Sequence, residues 1–379
     1  MSRYTSKLSR VFQPEAVRQY QVDVLNAVLA AQSAQGLIPV TVDLNQLPMA
    51  VPESRYRRLA REFNHETAGF VAAWRELLPA EFKPYGYLGM TSSNLIDCAR
   101  AMAARDFTLE VVEYYERELE PALVDQVIKL DEAMREGRTH GQVAAPVYMK
   151  SIYETALDRI NRIIREMAQS IPPGALMGPV GKPDARALPL PVRESVGRKL
   201  RVDLDHFPTQ IADRQRWTAW AFQLYQLIAA CEQVATHHRL ESISGIDRFS
   251  EKFEAGVQRG SSSMPHKRNP IRSERICGLA RVARGHLMAL LETATCSWWE
   301  RDLTNSSVEK TALVDLVDLT GFILQETAEV VQAAQWTTGT ENPDARWFSH
   351  ARLVESQLQG VNPDDGEYMR IQEATRAQD

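Results

Sequence analysis

The sequence lacks the features that would indicate a disulfide scaffold, a membrane protein or a nucleic-acid binder. Its cysteines, Cys98, Cys231, Cys277 and Cys296, form no C-x-x-C pair, so we expect neither a disulfide framework nor a cysteine metal site. No apolar run approaches the roughly 20 residues of a membrane span, and the N-terminus lacks the apolar core of a signal peptide. The formal net charge of −5 provides no basic surface for nucleic acid. We expect a cytoplasmic protein with neither nucleic-acid nor membrane partners, although a small anionic substrate remains compatible with this charge.

Helical periodicity dominates the chain, whose 379 residues are enough for two or three domains. The longest seam runs from Trp217, with apolar or small residues at steps of four and three: Ala221, Leu224, Ile228, Cys231, Ala235 and His238. Trp220, Leu227 and Val234 form a second stripe. This pattern predicts a long bundle helix that is buried on more than one side, and it suggests an oligomer core.

Two more long helices are expected. One follows Pro270, with Ile276, Leu279, Val282, His286 and Leu290 facing inward. The other covers roughly 98–134, with a bend near Pro121. We find no sustained strand alternation and predict an all-α fold. Breaks at 40–52, 171–182 and 337–344 divide it into an N-terminal helical domain (1–96), a central long-helix bundle (97–335) and a short C-terminal helical domain (336–379).

The segment from Gly260 to Pro270, GSSSMPHKRNP, combines a flexible Gly/Ser run with a helix start. Asn269 and Pro270 fit the N-cap and the first helical residue. The positive end of that helix, with Lys267 before it, would bind a carboxylate. Taken alone, the segment also fits a plain hinge followed by an ordinary helix.

Two polar segments are further candidates. In 138–142, RTHGQ, His140 lies in a predicted turn after a helix, and histidine is suited to proton transfer near neutral pH. A structural role for a lone histidine is the more common case. In 91–94, TSSN, the hydroxyls fit a helix N-cap or carboxylate ligands, and both roles are compatible.

A third segment, 299–310, sets Arg301, Ser306 and Lys310 at spacings of five and four. Ser306 and Lys310 would share a helix face, and two cations with a hydroxyl suit a phosphate. A solvated charged face explains the same residues equally well. Asn64-His65-Glu66 and Arg3-Tyr4 carry no weight alone.

Together these segments resemble a known family. The stretch 260–270 matches G-S-S-x-M-P-x-K-x-N-P, the mobile loop of the fumarase/aspartase superfamily, and the other segments follow in the order kept by the adenylosuccinate lyases. The stretch ERDLTNSS at 300–307 separates this branch from the cycloisomerases. The resemblance runs from Arg3 almost to the C-terminus.

This resemblance implies a three-domain all-α fold whose catalytic loop lies near 256–270 and whose central bundle forms a homotetramer core with active sites shared between subunits. It implies β-elimination of fumarate from an N-succinyl purine nucleotide or its imidazole-carboxamide precursor, without a metal or organic cofactor. Ser261 would be the general base and His140 the general acid. The implied carboxylate ligands are Lys267, Asn269, Thr91 and Ser92. Gln210 is a further substrate contact, and the implied phosphate and nucleotide contacts are Arg3, Tyr4, Asn64, His65, Glu66, Arg301, Ser306 and Lys310.

Four positions depart from the family pattern: Glu66 and Asn94 stand where aspartate is usual, Lys310 where arginine is usual, and Tyr87 where histidine is common. Lysine loses the two-pronged hydrogen bonding of arginine, so a deoxy or modified purine nucleotide is an alternative substrate. We also expect a shortened C-terminal domain. Another fumarate-releasing superfamily lyase is a second alternative, and Arg301, Ser306 and Lys310 argue against it. A relative without catalysis is a third, and the presence of both Ser261 and His140 argues against that one.

Overall fold

The computed structural model describes residues 4–182, 187–252 and 268–338. These residues are mostly helical, which confirms the all-α fold class. Arg3, Ser261 and Lys267 lie outside the described residues, as does nearly all of the predicted 336–379 domain. The division into three consecutive domains remains a prediction.

The described residues group into two compact units. The first takes its residues from 1–117, 160–232 and 276–326, and the second from 118–159, 233–275 and 327–379. The helices, in chain order, are α1 (Pro14–Ala34), α2 (Glu53–Glu62), α3 (Glu66–Leu77), α4 (Ser92–Tyr114), α5 (Glu120–Lys129), α6 (Ser151–Gln169), α7 (Leu190–Leu200), α8 (Arg214–Glu241), α9 (Ile271–Thr295), α10 (Thr304–Val308) and α11 (Val314–Gln332). The strands are β1 (Met134–Thr139), β2 (Gln142–Tyr148), β3 (Phe249–Ser250) and β4 (Gln335–Trp336). The predicted breaks at 40–52 and 171–182 fall between α-helices, although the first contains a 3-10 turn, Leu44–Gln46.

The predicted long bundle helix is α8. It begins after Asp213, whose carboxylate accepts the Gln215 N–H at 2.8 Å, an arrangement that satisfies a free N–H of the first turn. Both predicted apolar stripes are buried within the single chain. Their burial therefore needs no second subunit, and the inference from this helix to an oligomer core loses its basis.

The helix predicted after Pro270 is α9. Ile276, Leu279 and Leu290 are buried as expected, but Val282 is 50% exposed, and the side chain of His286 is 25% exposed. The expectation that these two residues face inward is wrong for Val282 and only partly right for His286. Val282 instead shares a face with Gly278 and Gly285, four residues before it and three after.

The helix predicted over 98–134 is interrupted and ends early. A π-helical turn, Tyr115–Leu119, separates α4 from α5 and ends two residues before Pro121. Proline lacks an N–H and crowds the carbonyl four residues earlier, so a widened turn is a natural response. The helix ends at Lys129, and residues 134–139 form a strand instead.

That strand belongs to a hairpin that the sequence did not predict. β1 and β2 pair antiparallel, with Thr139 opposite Gln142 and a register shift between Glu136 and Arg138. Charged residues, a glycine and Pro146 interrupt any regular alternation in these strands, which explains why the pattern was missed. No helix in the described part of the chain is long and apolar enough to cross a membrane.

Candidate active site

His140 lies at the tip of the β1–β2 hairpin in the second unit. His140 and Gly141 form the two-residue loop and have φ angles of 54° and 77°. Two successive positive φ angles define the tight turn that matches the twist of an antiparallel pair. The imidazole is exposed in the isolated chain. The predicted turn is confirmed, and it follows a strand rather than a helix.

The hairpin is anchored by buried charges near its base. Arg248 Nη1 donates to Glu136 Oε2 at 2.5 Å, and Arg248 Nε donates to Glu241 Oε2 at 2.8 Å. Glu136 is buried, which by itself raises the pKa of its carboxyl, but hydrogen bonding to the backbone and the charge of Arg248 lower that pKa below its usual range. These contacts fix the strand that carries His140.

The start of α9, also in the second unit, differs from the expected carboxylate site. Glu274 N–H donates to the Pro270 carbonyl at 2.9 Å, so Pro270, rather than Asn269, has the N-cap position. The N–H groups of Arg272 and Ser273 donate to the carboxylate of Glu251 at 3.1 and 2.8 Å. An anion does bind this helix terminus, and it is a side chain of the protein itself. Asn269 lies exposed just before it.

In the first unit, Thr91 and Asn94 form an N-terminal cap for α4. Asn94 Oδ1 accepts the Thr91 N–H at 3.0 Å and the Thr91 hydroxyl at 3.2 Å. Asn94 Nδ2 donates to the Ala175 carbonyl at 3.2 Å. An ionised aspartate could not make this last bond, which gives a structural reason for asparagine here. The capping interpretation is confirmed, and the ligand role of Thr91 and Ser92 stays a prediction.

Gln210 is held by groups of the chain. Its Oε1 accepts the Ser93 hydroxyl at 3.1 Å, and its Nε2 donates to the Pro179 carbonyl at 2.9 Å. Its backbone N–H donates to the Glu300 carbonyl at 3.0 Å. Ser93, which sequence reasoning passed over in favour of Ser92, is therefore the hydroxyl that orients this amide.

Three of the predicted nucleotide contacts, Asn64, His65 and Glu66, lie at the start of α3, and a fourth, Lys310, contacts Glu66. His65 is the N-cap, with Nδ1 accepting the Ala68 N–H at 3.2 Å, and Asn64 before it has a φ of 47°. Lys310 Nζ lies 2.8 Å from Glu66 Oε2. Tyr4 packs edge-on against Phe322, with ring centroids 5.3 Å apart. The structure thus brings Lys310 to the 64–66 segment.

Arg301 is half-buried, and its charge is held by neutral groups. Its Nη1 donates to the Asp302 carbonyl at 3.0 Å and to Asn305 Oδ1. Burial lowers the pKa of this guanidinium below its ordinary value, against the opposing influence of nearby Asp97 and Glu309. A desolvated cation that has no directly paired carboxylate among the described residues suits an anionic ligand.

Behind Arg301 lies a buried set of charged and polar side chains that sequence reasoning missed. We call it the Glu309 cluster; it comprises Asp97, Arg100, Arg214, Asn305 and Glu309. Arg214 Nε donates to Glu309 Oε1 at 2.6 Å and its Nη2 to Asp97 Oδ1 at 2.8 Å, and Arg100 also binds Glu309. Burial lowers the pKa of Arg214, but Asp97 and Glu309 outweigh it and raise that pKa above its usual value. These residues come from three distant segments of the chain, 97–100, 214 and 305–309, so no local pattern predicts the contacts between the segments.

Comparison with known proteins gives the family of this chain. A family described as "Lyase" matches residues 57–285. The chain is 34% identical over 342 residues to the adenylosuccinate lyase of Synechocystis sp., covering 88% of this chain and 77% of that one. It belongs to the adenylosuccinate lyase family. The adenylosuccinate lyase of Archaeoglobus fulgidus is 29% identical over 384 residues, covering 98% and 85% of the two chains.

Solved structures agree on the fold. A fumarate lyase from Mesorhizobium sp. BNC1 aligns with a TM-score of 0.81 at 18% identity, covering 98% of this chain and 86% of that one. The 3-carboxy-cis,cis-muconate lactonizing enzyme from Pseudomonas putida aligns with a TM-score of 0.80 at 20% identity, covering 99% and 86%. This adenylosuccinate lyase family member therefore has the fumarase/aspartase-type fold, and its family makes it a carbon–nitrogen lyase.

Proposed function

We propose that this enzyme eliminates fumarate from adenylosuccinate to leave AMP, and that it acts likewise on the succinyl-carboxamide imidazole ribonucleotide. The observation that carries the proposal is the identity to adenylosuccinate lyases over most of the chain. The phosphate end of such a substrate is supported by Arg301, whose half-buried charge has neutral partners. Ser306 and Lys310 follow on the same segment.

The chemistry requires a base and an acid. Ser261, as its alkoxide, removes a proton from the carbon next to a carboxylate, and the electron pair moves into that carboxylate to give a dianionic aci-carboxylate. The pair then returns to form the carbon–carbon double bond of fumarate, the carbon–nitrogen bond breaks, and His140 protonates the departing nitrogen. Lys267 and Asn269 stabilise the charge that develops on the carboxylate.

Fumarate release is the direct test. Adenylosuccinate should yield fumarate, and argininosuccinate should not. Ser261→Ala and His140→Ala should each lower turnover by roughly 10²–10⁴-fold, as loss of a general base or acid implies. Near-normal activity of Ser261→Ala would move the base to another residue, and release from argininosuccinate alone would reject the purine substrate.

A deoxy or modified purine nucleotide is the second candidate substrate. It is favoured by the contact between Glu66 and Lys310, because two departures from the family pattern then form one joint change in a predicted nucleotide-binding region. Turnover of ribo- and deoxyribo-succinyl nucleotides decides between them. A wide preference for the ribonucleotide would reject this candidate.

A homotetramer with shared active sites completes the proposal. It is supported by α9, where Gly278, Val282 and Gly285 lie on one exposed face. A Cβ added at either glycine would meet open space, and glycine inside a helix costs about 1 kcal/mol relative to alanine. Glycines at exposed positions with room for a side chain suit the close approach of a second subunit. The cytoplasmic location expected from the sequence stays a prediction.

A further inference from the structure

The starting observation is how Arg301 is held. Both of its side-chain partners among the described residues, the Asp302 carbonyl and Asn305 Oδ1, are uncharged. A backbone carbonyl fixes one direction of the guanidinium, and the amide oxygen of Asn305 fixes the other. Asn305 is therefore the only side chain in the described part of the chain that holds this cation.

Asn305 has no freedom to turn away. It is 4% exposed, and its Nδ2 donates to Glu309 Oε1 at 2.9 Å. Turning the amide over would place its NH₂ against the guanidinium and its oxygen against a carboxylate, which is repulsive at both ends. The orientation of Asn305 is thus set by the two charges between which it lies.

Glu309 is itself fixed from the other side. Arg214 Nε donates to its Oε1 at 2.6 Å, and Arg214 in turn binds Asp97. Within the Glu309 cluster, the guanidinium groups of Arg100 and Arg214 are paired with the carboxylates of Asp97 and Glu309, so these four charges balance. In the described part of the chain, the Arg301 guanidinium hydrogen-bonds only to uncharged groups, so an anion can bind to its positive charge.

The burial of Asn305 and Glu309 also sets the direction of the neighbouring side chains. Asn305 and Glu309 are four apart and point into the unit, while Ser306 and Lys310, each one residue later, are partly or fully exposed. A rotation of this segment that freed Asn305 would also displace Ser306 and Lys310.

We propose that Asn305 is a positioning residue for the substrate phosphate: it holds Arg301 in the orientation that binds the phosphate and transmits the rigidity of the Glu309 cluster to it. This inference rests on the proposed function, in which Arg301 contacts a nucleotide phosphate. Asn305 itself touches no substrate in this scheme.

The test compares a substrate with a phosphate and one without. Asn305→Leu should lower kcat/KM for adenylosuccinate about 10- to 100-fold, the value of a misplaced charged hydrogen bond, mainly through KM. Turnover of succinyladenosine, which lacks the phosphate, should stay within about twofold. Asn26→Leu is the matched control, because Asn26 also bridges two groups, accepting from Trp74 and donating to the Pro48 carbonyl. It should leave the ratio between the two substrates unchanged.

Two further variants make the result specific. Combining Asn305→Leu with Arg301→Met should cost no more than Arg301→Met alone, because both changes remove one interaction. Asn305→His offers one acceptor and one donor nitrogen and should restore part of the loss. If Asn305→Leu does not fold, Asn305→Ser takes its place, since serine is too short to reach both partners.

Equal losses on both substrates, or additive losses in the double variant, would overturn the proposal in favour of a purely structural Asn305. A neutral Arg301→Met would overturn it as well. If the wild-type enzyme releases no fumarate from either substrate, the proposed reaction fails separately, and calorimetric binding of AMP and adenosine decides about Asn305. If Asn305→Leu loses affinity for AMP but not for adenosine, the proposal is supported. If its affinity for AMP is unchanged, the proposal is overturned.

Discussion

Glu66 and Lys310 form an ion pair, with 2.8 Å between Oε2 and Nζ, although 244 residues separate them. Each stands where the adenylosuccinate lyase pattern has a different residue of the same charge, so the two departures are partners. Both side chains are more than half exposed, and such pairs contribute little to stability. We therefore expect the pair to affect ligand binding rather than stability, because Glu66 neutralises an ammonium that we propose binds phosphate.

Removing the charge of Glu66 should strengthen nucleotide binding. Glu66→Gln leaves hydrogen-bonding atoms in place but frees Lys310, so the KM for the nucleotide should fall about two- to fivefold, the range of an exposed ion pair. The melting temperature should not change. Glu76→Gln, which breaks exposed ion pairs with Arg55 and Arg58, is the control and should leave KM alone. A higher KM in Glu66→Gln would show that its carboxylate binds the substrate directly.

Turnover should be sensitive to a substitution of Gly141 at the hairpin tip. Alanine at its φ of 77° costs about 1–2 kcal/mol of backbone strain, and the relief of that strain would turn His140. Gly36→Ala is a matched control because Gly36 has a φ of 65° and the same open surroundings. Both variants should lose similar unfolding free energy in urea, and only Gly141→Ala should lose turnover. Equal activity of the two variants would remove His140 from the mechanism.

His238 should make stability depend on pH. Burial and the neighbouring His237 lower the pKa of His238 from 6.5 to about 3, and its Nε2 lies 2.9 Å from the Tyr153 hydroxyl. Between these pH values the unfolded chain binds a proton that the folded chain does not, so stability falls as pH drops below 6.5. The slope is about 1.4 kcal/mol per pH unit.

The matching variants are His238→Gln, which keeps an acceptor for Tyr153 but does not titrate, and His206→Gln at an exposed site. Urea unfolding at pH 7.0, 6.0 and 5.0 (about one unit apart, to resolve the slope) should show a reduced pH dependence only in His238→Gln. An unchanged slope in that variant would mean that His238 is protonated in the folded protein.

Most of the long helices could be predicted from the sequence. The seam of α8 and most of the inward face of α9 could be read directly because helical burial repeats every three to four residues. The hairpin was missed because Gly137 and Pro146 interrupt β1 and β2, and a short two-stranded element needs no regular alternation. Its position was still marked by His140-Gly141, a pair that tolerates positive φ.

Contacts between residues that lie close in sequence could be predicted, whereas contacts between distant segments could not. The cap made by Thr91 and Asn94 follows from local chemistry. Glu251 at the start of α9 and the Glu309 cluster could not be predicted, because they join segments up to 212 residues apart, as between Asp97 and Glu309, which Arg214 links. Periodicity carries no information about such pairs.

A substitution on the exposed face of α9 can show whether a second subunit packs there, because the two cases predict stability changes of opposite sign. In an isolated chain, Gly285→Leu should stabilise α9 by up to about 1 kcal/mol, because leucine favours helix and nothing blocks its side chain. If a second subunit packs closely on Gly278, Val282 and Gly285, the same change should break the assembly and lower the melting temperature.

We expect Gly285→Leu to break the assembly and to lower the melting temperature. Light scattering should give a tetramer for the wild type and smaller species for Gly285→Leu, with fumarate release lost in parallel if the active sites are shared between subunits as proposed. Glu110→Leu, at an exposed position of α4, is the control for an added surface leucine and should remain tetrameric and active. A wild-type monomer would reject both the assembly and the shared active site, whereas a Gly285→Leu protein that is more stable and fully active would show that this face of α9 is ordinary solvent-exposed surface and not a subunit interface.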